Sequence, residues 1–209
     1  SVVPKWKTLS PGQSVNYVES HDNMTLFDKI QSSVKGVTPT ESAKLSRLST
    51  SFAFLAQGLP FMQAGQEFLR TKKGDSNSYK SSDEVNSIKW DTKSTNLTTV
   101  NYFKGLIALR KTHASFRMTT ASQVKAGLKF LPAPDGTIAY SINGSRVGDS
   151  ASTFIVFHNA NTSTQSLTLP RAATYSVLVE KDKAGVNVLR KFKGSSIKID
   201  PRSTVVLKL

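Results

Sequence analysis

Residues Ser20-His21-Asp22-Asn23 place an imidazole beside a carboxylate at the end of an alternating run, Ser14-Val15-Asn16-Tyr17-Val18-Glu19, which follows a Pro11-Gly12 turn. That run is rich in strand formers and predicts a strand over 14–20. An Asp beside a His in such a place can accept hydrogen bonds from hydroxyls and oppose a developing positive charge. In parallel α/β folds, ligands and catalytic groups gather at the C-terminal ends of strands. The dipeptide alone reads equally well as a capping Asp next to a surface His. A long polar stretch over 70–93 exceeds an ordinary connection, and long loops in compact domains often carry function. The other histidines offer less: His113 follows a helix pattern and His158 ends a strand pattern, neither in the company of metal ligands. With no cysteine in the chain, disulfides and thiolate metal sites are excluded.

The elements that would position these groups fall into two styles. Thr38-Pro39-Thr40-Glu41 is a helix start, with a capping Thr, Pro at the first helical position and Glu three residues past the cap. Leu45, Leu48, Phe52 and Leu55 follow as an apolar stripe, and Gly58 and Pro60 close the helix. A short buried strand is expected over 59–64. A second helix is expected over about 97–111, with Val100, Phe103, Leu106 and Ile107 on one face. Strand, helix, strand, helix is the order of parallel α/β architecture, and two such units are too few for a closed barrel. After Phe116 the pattern changes to short strands over 127–131, 137–142, 153–157, 166–169, 174–179, 186–192, 195–199 and 204–208. Turn signals such as Pro134-Asp135-Gly136 and Asn143-Gly144 separate them. That spacing predicts an antiparallel sandwich.

Composition bounds the class. The chain has 209 residues, 38% of them hydrophobic and 20% charged, as in ordinary folded domains. Its longest mostly apolar run, 51–62, is broken by Gln57, Gly58 and Pro60 and is too short for a membrane span. The net charge of +14 raises the question of nucleic acid. The Lys and Arg residues are scattered over both halves, with no aromatic-flanked cluster or groove-reading motif, so a solvated basic surface is the reading and no nucleic-acid partner is expected. Trp6 and Trp90 are read as packing residues. The opening Ser1-Val2-Val3-Pro4, without Met or leader, suggests a chain cut from something longer.

The string 15–29, Val-Asn-Tyr-Val-Glu-Ser-His-Asp-Asn-Met-Thr-Leu-Phe-Asp-Lys, closely resembles the fourth conserved region of the α-amylase superfamily of glycoside hydrolases, in its type I pullulanase form. The resemblance continues through 61–80, from Phe61-Met62-Gln63-Ala64-Gly65 to Asn77-Ser78-Tyr79-Lys80. It resumes in Val85-Asn86-Ser87-Ile88-Lys89-Trp90 and in 108–117. Beyond Arg117 the order and length are similar to the family's C-terminal β domain.

That resemblance implies an α/β plus all-β chain: residues 1–116 as the last strands and helices of an incomplete (β/α)8 barrel, and residues 117–209 as an antiparallel β-sandwich. It implies that Asp22 stabilises an oxocarbenium-like transition state and that His21 binds sugar hydroxyls at the cleaved bond. It further implies that Arg70, Asp75, Asn77 and Tyr79 line the non-reducing side, Arg and Asp forking onto vicinal hydroxyls and Tyr stacking on a sugar face. The rival for that loop is one tied together by its own Arg–Asp pair, and Glu67 is read as structural. The implied activity is retaining hydrolysis of α-1,6-glucosidic linkages in pullulan, glycogen or starch, with no cofactor and no metal. The nucleophile and general acid that retention requires match nothing in this chain, so they are expected on an upstream part of the same enzyme, and this chain alone is expected to be inactive. The partners implied are an α-glucan and that upstream part. The expected location is secreted or at a bacterial cell surface, the cytoplasm being the alternative. The alternative function is a non-catalytic glucan- or cell-surface-binding module.

Overall fold

The computed structural model describes residues 8–209, so the readings of Ser1–Pro4 and Trp6 lie outside the described residues. The chain runs β1 (Val15–Asn16), α1 (Leu26–Ser33), α2 (Pro39–Leu55) and β2 (Leu59–Pro60). The short helices α3 (Asp83–Asn86) and α4 (Thr92–Thr95) then lead into α5 (Leu97–Thr112) and α6 (Ala121–Gly127). Seven strands complete it: β3 (Leu128–Leu131), β4 (Thr137–Asn143), β5 (Thr153–Asn159), β6 (Gln165–Glu180), β7 (Lys183–Ala184), β8 (Arg190–Ile199) and β9 (Ser203–Lys208). No described helix is long and apolar enough to cross a membrane.

Helix α2 starts as its sequence dictates. Thr38 Oγ1 accepts the Glu41 N–H at 3.2 Å, and Pro39 fills the first helical position. The Glu41 carboxylate does not turn back to the cap; it accepts from Lys44 and from Arg202, both at 2.8 Å. At its other end α2 stops at Leu55, short of the expected Gly58. There Arg110, on α5, donates to the carbonyls of Phe54 (3.1 Å), Ala56 (2.7 Å) and Gly58, and Tyr140 Oη donates to that of Leu55 (3.0 Å). The last carbonyls of a buried helix thus find side-chain donors, which the requirement to pair such groups demands. Burial, with Arg117 nearby, lowers the Arg110 pKa to about 10.

Both expected parallel strands are shorter than their patterns. Val15 pairs with Leu59 and Asn16 with Pro60, in parallel, and the ladder ends there. Among the described residues each strand has a single neighbour, so the flanking residues have no second ladder to extend them. Val15, Tyr17, Leu59 and Phe61 are exposed, with Tyr17 and Phe61 edge to face at 6.1 Å. Among the described residues these two strands form a two-stranded sheet and not a closed barrel. On α5, the buried face includes Val100, Phe103, Leu106 and Leu109, while Ile107 of the expected stripe is exposed.

The strands after Leu128 form one seven-stranded antiparallel sheet in the order β3-β4-β5-β9-β6-β7, with β8 paired to β6. Two of the expected short strands, 166–169 and 174–179, are one strand, β6, whose pairing with β8 shifts between Thr168 and Ala173. Pro170, which has no N–H to offer a ladder, sits in that irregular stretch. A second shift, between Val177 and Val179 against β9, lets Leu178 and Val179 face the same core. The expected strand over 186–192 begins only at Arg190, because residues 185–189 loop out past the two-residue β7. One face of the sheet (Tyr140, Ile142, Phe154, Val156, Leu178, Val206) packs on Ala53, Phe54 and Leu55 of α2 and on Tyr102, Leu106 and Leu109 of α5. The other face encloses Ile155, Phe157, Leu167, Tyr175, Val177, Ile197, Ile199, Val205 and Leu207. Strands β5 and β9 are buried on both sides, which explains their unbroken apolar sequences.

The helices and sheet meet most tightly at Gly105. A Cβ there would stand 1.9 Å from the Ala184 carbonyl oxygen of β7. Gly→Ala in an open helix gains up to about 1 kcal/mol. Here the clash reverses the sign, and Gly105→Ala is expected to cost about 2–3 kcal/mol, read as a lower urea midpoint. A variant as stable as the parent would show that α5 and β7 are not in this contact.

Candidate functional site

The turn after β1 is built from its own side chains. Asn23 adopts a left-handed conformation (φ 66°), the Asn23 N–H donates to Asp22 Oδ1 (2.9 Å), and the Met24 N–H donates to Asn23 Oδ1 (2.8 Å). Asn tolerates that conformation better than most residues. Helix α1 then opens with Thr25 Oγ1 accepting the Asp28 N–H at 3.2 Å and Glu19 Oε2 accepting the Leu26 N–H at 2.8 Å. His21 and Asp22 are left exposed at the turn's outer side.

The loop after Phe61 comes back across this turn. Gln63, its amide nitrogen facing the segment after β1, donates to Ser20 O (2.6 Å) and Glu19 Oε1 (3.1 Å). Thr71 Oγ1 and the Lys72 N–H donate to the two oxygens of buried Asp28, the latter at 2.7 Å. Arg70 donates from Nη2 to the Asn86 carbonyl, while its buried Nε has no partner. Asn86 Nδ2 in turn donates to Ser78 O (2.7 Å) and Ser81 O (2.9 Å).

The result is an open cleft of about 460 Å³ lined by His21, Asp22, Gln63, Arg70, Lys72, Asn77, Ser78, Tyr79 and Asn86. Five of the six residues expected to act together therefore share one wall: Asp22, His21, Arg70, Asn77 and Tyr79. Asp75 does not reach it. Its carboxylate accepts the Asn77 N–H (2.8 Å) and the Ser81 hydroxyl, so it shapes the loop that presents Asn77 and Tyr79. The loop is tied by these bonds and by Arg70 to Asn86, with no Arg70–Asp75 pair among the described residues. Glu67 accepts the Gly65 N–H at 2.9 Å, a local turn contact. Trp90 leans on Phe68 with ring centroids 5.5 Å apart. Gln63, Lys72, Ser78 and Asn86 were not singled out from sequence. Gln63 and Lys72 lie inside the motif stretches, but an amide and a lysine carry no spacing signal of their own.

Chemically, the wall combines one exposed carboxylate, one imidazole, two cationic groups, amides and a phenol ring 74% exposed. Such a set can donate and accept hydrogen bonds to hydroxyl groups and offers a ring face for stacking. Behind it, burial pushes the Glu19 carboxyl from 4.5 up to about 7, against the Leu26 N–H and the charge of Arg70. Below pH 4.5 both folded and unfolded states hold the proton. Between about 4.5 and 7 the unfolded chain releases it while the folded chain keeps it. This stability is therefore present at low pH and lost as pH rises to about 7, on the order of 3 kcal/mol in all. His158, buried and held down to about 3, gives the opposite slope below its unfolded value of 6.5. The test is accordingly a difference: Glu19→Gln should gain on the parent as pH rises from 5 to 8 in urea titrations, and parallel curves would contradict it.

Residues 124–183 match the family described as pullulanase, all-beta domain. The pullulanase of Bacillus subtilis strain 168 is 38% identical over 180 residues, covering 84% of this chain and 25% of that protein. The chain belongs to the pullulanase family. Among solved structures, the pullulanase from Bacillus acidopullulyticus superposes with a TM-score of 0.92 at 38% identity, over 96% of this chain and 25% of that one. A pullulanase from Anoxybacillus solved with maltotetraose gives 0.87 at 35% identity, over 96% of this chain and 28% of that one. The chain thus spans about a quarter of the length of these relatives, and its sheet and helices correspond to one part of them.

Proposed function

We propose that this chain is the part of a debranching glycoside hydrolase that grips the sugar at the cleaved α-1,6 bond and stabilises its transition state. The observation that carries the reading is the convergence of His21, Asp22, Arg70, Asn77 and Tyr79 on one cleft. Asp22 opposes the positive charge that develops on the ring as the glycosidic bond breaks. His21 donates to hydroxyls of the same sugar. Such bonds strengthen as the ring flattens, and in retaining glycosidases they contribute several kcal/mol. Arg70 and Asn77 hold neighbouring hydroxyls, and the exposed Tyr79 ring offers a face for an apolar sugar surface. Asp75 contributes by fixing the Asn77–Tyr79 turn.

In this reading residues 1–116 belong to a (β/α)8 barrel. β1 and β2 are two of its strands, and the exposed Val15, Tyr17, Leu59 and Phe61 are covered by the remainder. Residues 117–209 form the adjoining β domain. The nucleophile and the acid come from that remainder, and the substrate is an α-glucan, the ligand class named for solved relatives.

The test is linkage and stereochemistry together. The intact protein should cut pullulan at its α-1,6 bonds, leave linear α-1,4 amylose whole, and release the new reducing end in the α configuration. Cleavage of amylose in preference, or a β product, would remove the assignment.

A further inference from the structure

Lys72 is 4% exposed, unusual for an ammonium group, and lies at the floor of the cleft. Its Nζ donates to the carbonyl of His21 at 3.2 Å and to Ser78 Oγ at 2.8 Å. Its backbone N–H donates to Asp28 on α1. One residue thus fastens the loop to α1 through its main chain and reaches across with its side chain to two separate turns. The first turn carries His21 and Asp22; the second carries Tyr79 and follows Asn77. Among the described residues no other hydrogen bond joins residues 20–24 to residues 77–81. A charge is buried here where a neutral donor would be cheaper to desolvate. A single NH₃⁺ group, however, supplies three donors from one point, and the carboxylates of Glu19 and Asp75 both feel its charge.

We propose that Lys72 is a positioning residue: its buried ammonium sets the separation between the His21–Asp22 turn and the Asn77–Tyr79 turn, so that the two halves of the sugar grip are held in register before substrate arrives. The effect on rate rests on the function proposed above; the effect on the two turns does not. Reactive geometry is steep in distance, and misplacing a group by about 1 Å can cost about a hundredfold in rate. Because Lys72 acts on turns rather than on the sugar, its loss should fall on kcat more than on KM.

The experiment compares the parent with Lys72→Met, which keeps the stem and removes the donors, and Lys72→Gln, which keeps one donor and serves if the Met variant fails to fold. Hydrogen exchange is followed at the Met24 and Ser81 amides, which close the two turns, with Leu106 and Leu109 in α5 as controls. Both turn amides should exchange about tenfold faster, as expected for loss of one or two hydrogen bonds, while the controls hold. In the intact enzyme, kcat on pullulan should fall about a hundredfold with KM changed by less than about threefold. Unchanged exchange at both turns overturns the proposal. A variant that keeps kcat but raises KM a hundredfold overturns it as well, because Lys72 would then touch the sugar itself. An intact parent enzyme inactive on any α-glucan would remove the functional reading, and the exchange measurement would still decide the role of Lys72.

Discussion

In the intact enzyme, replacing Asp22 with Ala is expected to lower kcat on pullulan by about two to four decades while the fold survives. The rate loss follows from what the carboxylate does in the proposed mechanism. It faces a charge that exists only as the glycosidic bond breaks, so its removal costs the transition state about 3–5 kcal/mol and the ground state little. Survival of the fold follows from its surroundings. Asp22 is exposed, and its one described hydrogen bond accepts the N–H of the next residue, at 2.9 Å. Asp22→Asn keeps an acceptor for that N–H and loses the charge, so it separates the local turn from the electrostatics. Both variants should melt with the parent and both should be nearly inactive. Turnover near the parent's by a folded Asp22→Ala enzyme would remove Asp22 from the chemistry.

What could be read from the sequence divides along physical lines. The start of α2 was legible because Thr38, Pro39 and Glu41 act on backbone groups within one turn, and local rules suffice there. Its end was not, because Arg110 and Tyr140 are distant in sequence, and it is their donors that take the last carbonyls. The strands over 14–20 and 59–64 were overestimated for a related reason. Alternation of side chains shows that a segment can be a strand, but its length depends on the neighbours it pairs with. In the sheet, the break expected between 169 and 174 proved to be an irregularity within β6, since Pro170 interrupts pairing without ending the strand. Spacing alone puts Ile107 on the α5 core face, yet it is exposed while Tyr102 and Leu109 are buried.

The site followed the same division. His21 and Asp22 were visible as a pair at the end of a strand pattern, and the family resemblance gave the 70–79 stretch its meaning. The resemblance did not show that Asp75 turns inward to Asn77 and Ser81. It also gave no hint that Lys72 spans the two turns, because a lysine in a basic chain of net charge +14 has no distinguishing signal until its burial is known. The helix–sheet contact was equally hidden. Exchange on the isolated chain should therefore protect α2 and α5 together with the sheet they share a core with, more than Val15–Val18.

Taken by itself, the chain of residues 1–209 is expected to release no reducing ends from pullulan, and to gain activity when a fragment bearing the rest of the barrel is added. Retaining hydrolysis needs two carboxyl groups about 5 Å apart on either side of the scissile bond. The described cleft wall holds one carboxylate, Asp22. Glu19 lies behind it, buried and engaged with the Leu26 N–H and the Gln63 amide, and Glu67 is occupied with the Gly65 N–H. Neither lines this cleft. The route to recovery is the face made by Val15, Tyr17, Leu59 and Phe61, whose two strands each have an unpaired edge among the described residues. An open edge beside exposed apolar side chains is a ready template for added strands. Reducing-end release is measured for the chain, for the complementary fragment, and for the mixture. The mixture should be active, and an Asp22→Ala chain in it should not be. Hydrolysis by the chain alone that disappears with Asp22→Ala would mean that one of its own carboxylates supplies the chemistry assigned here to the rest of the barrel.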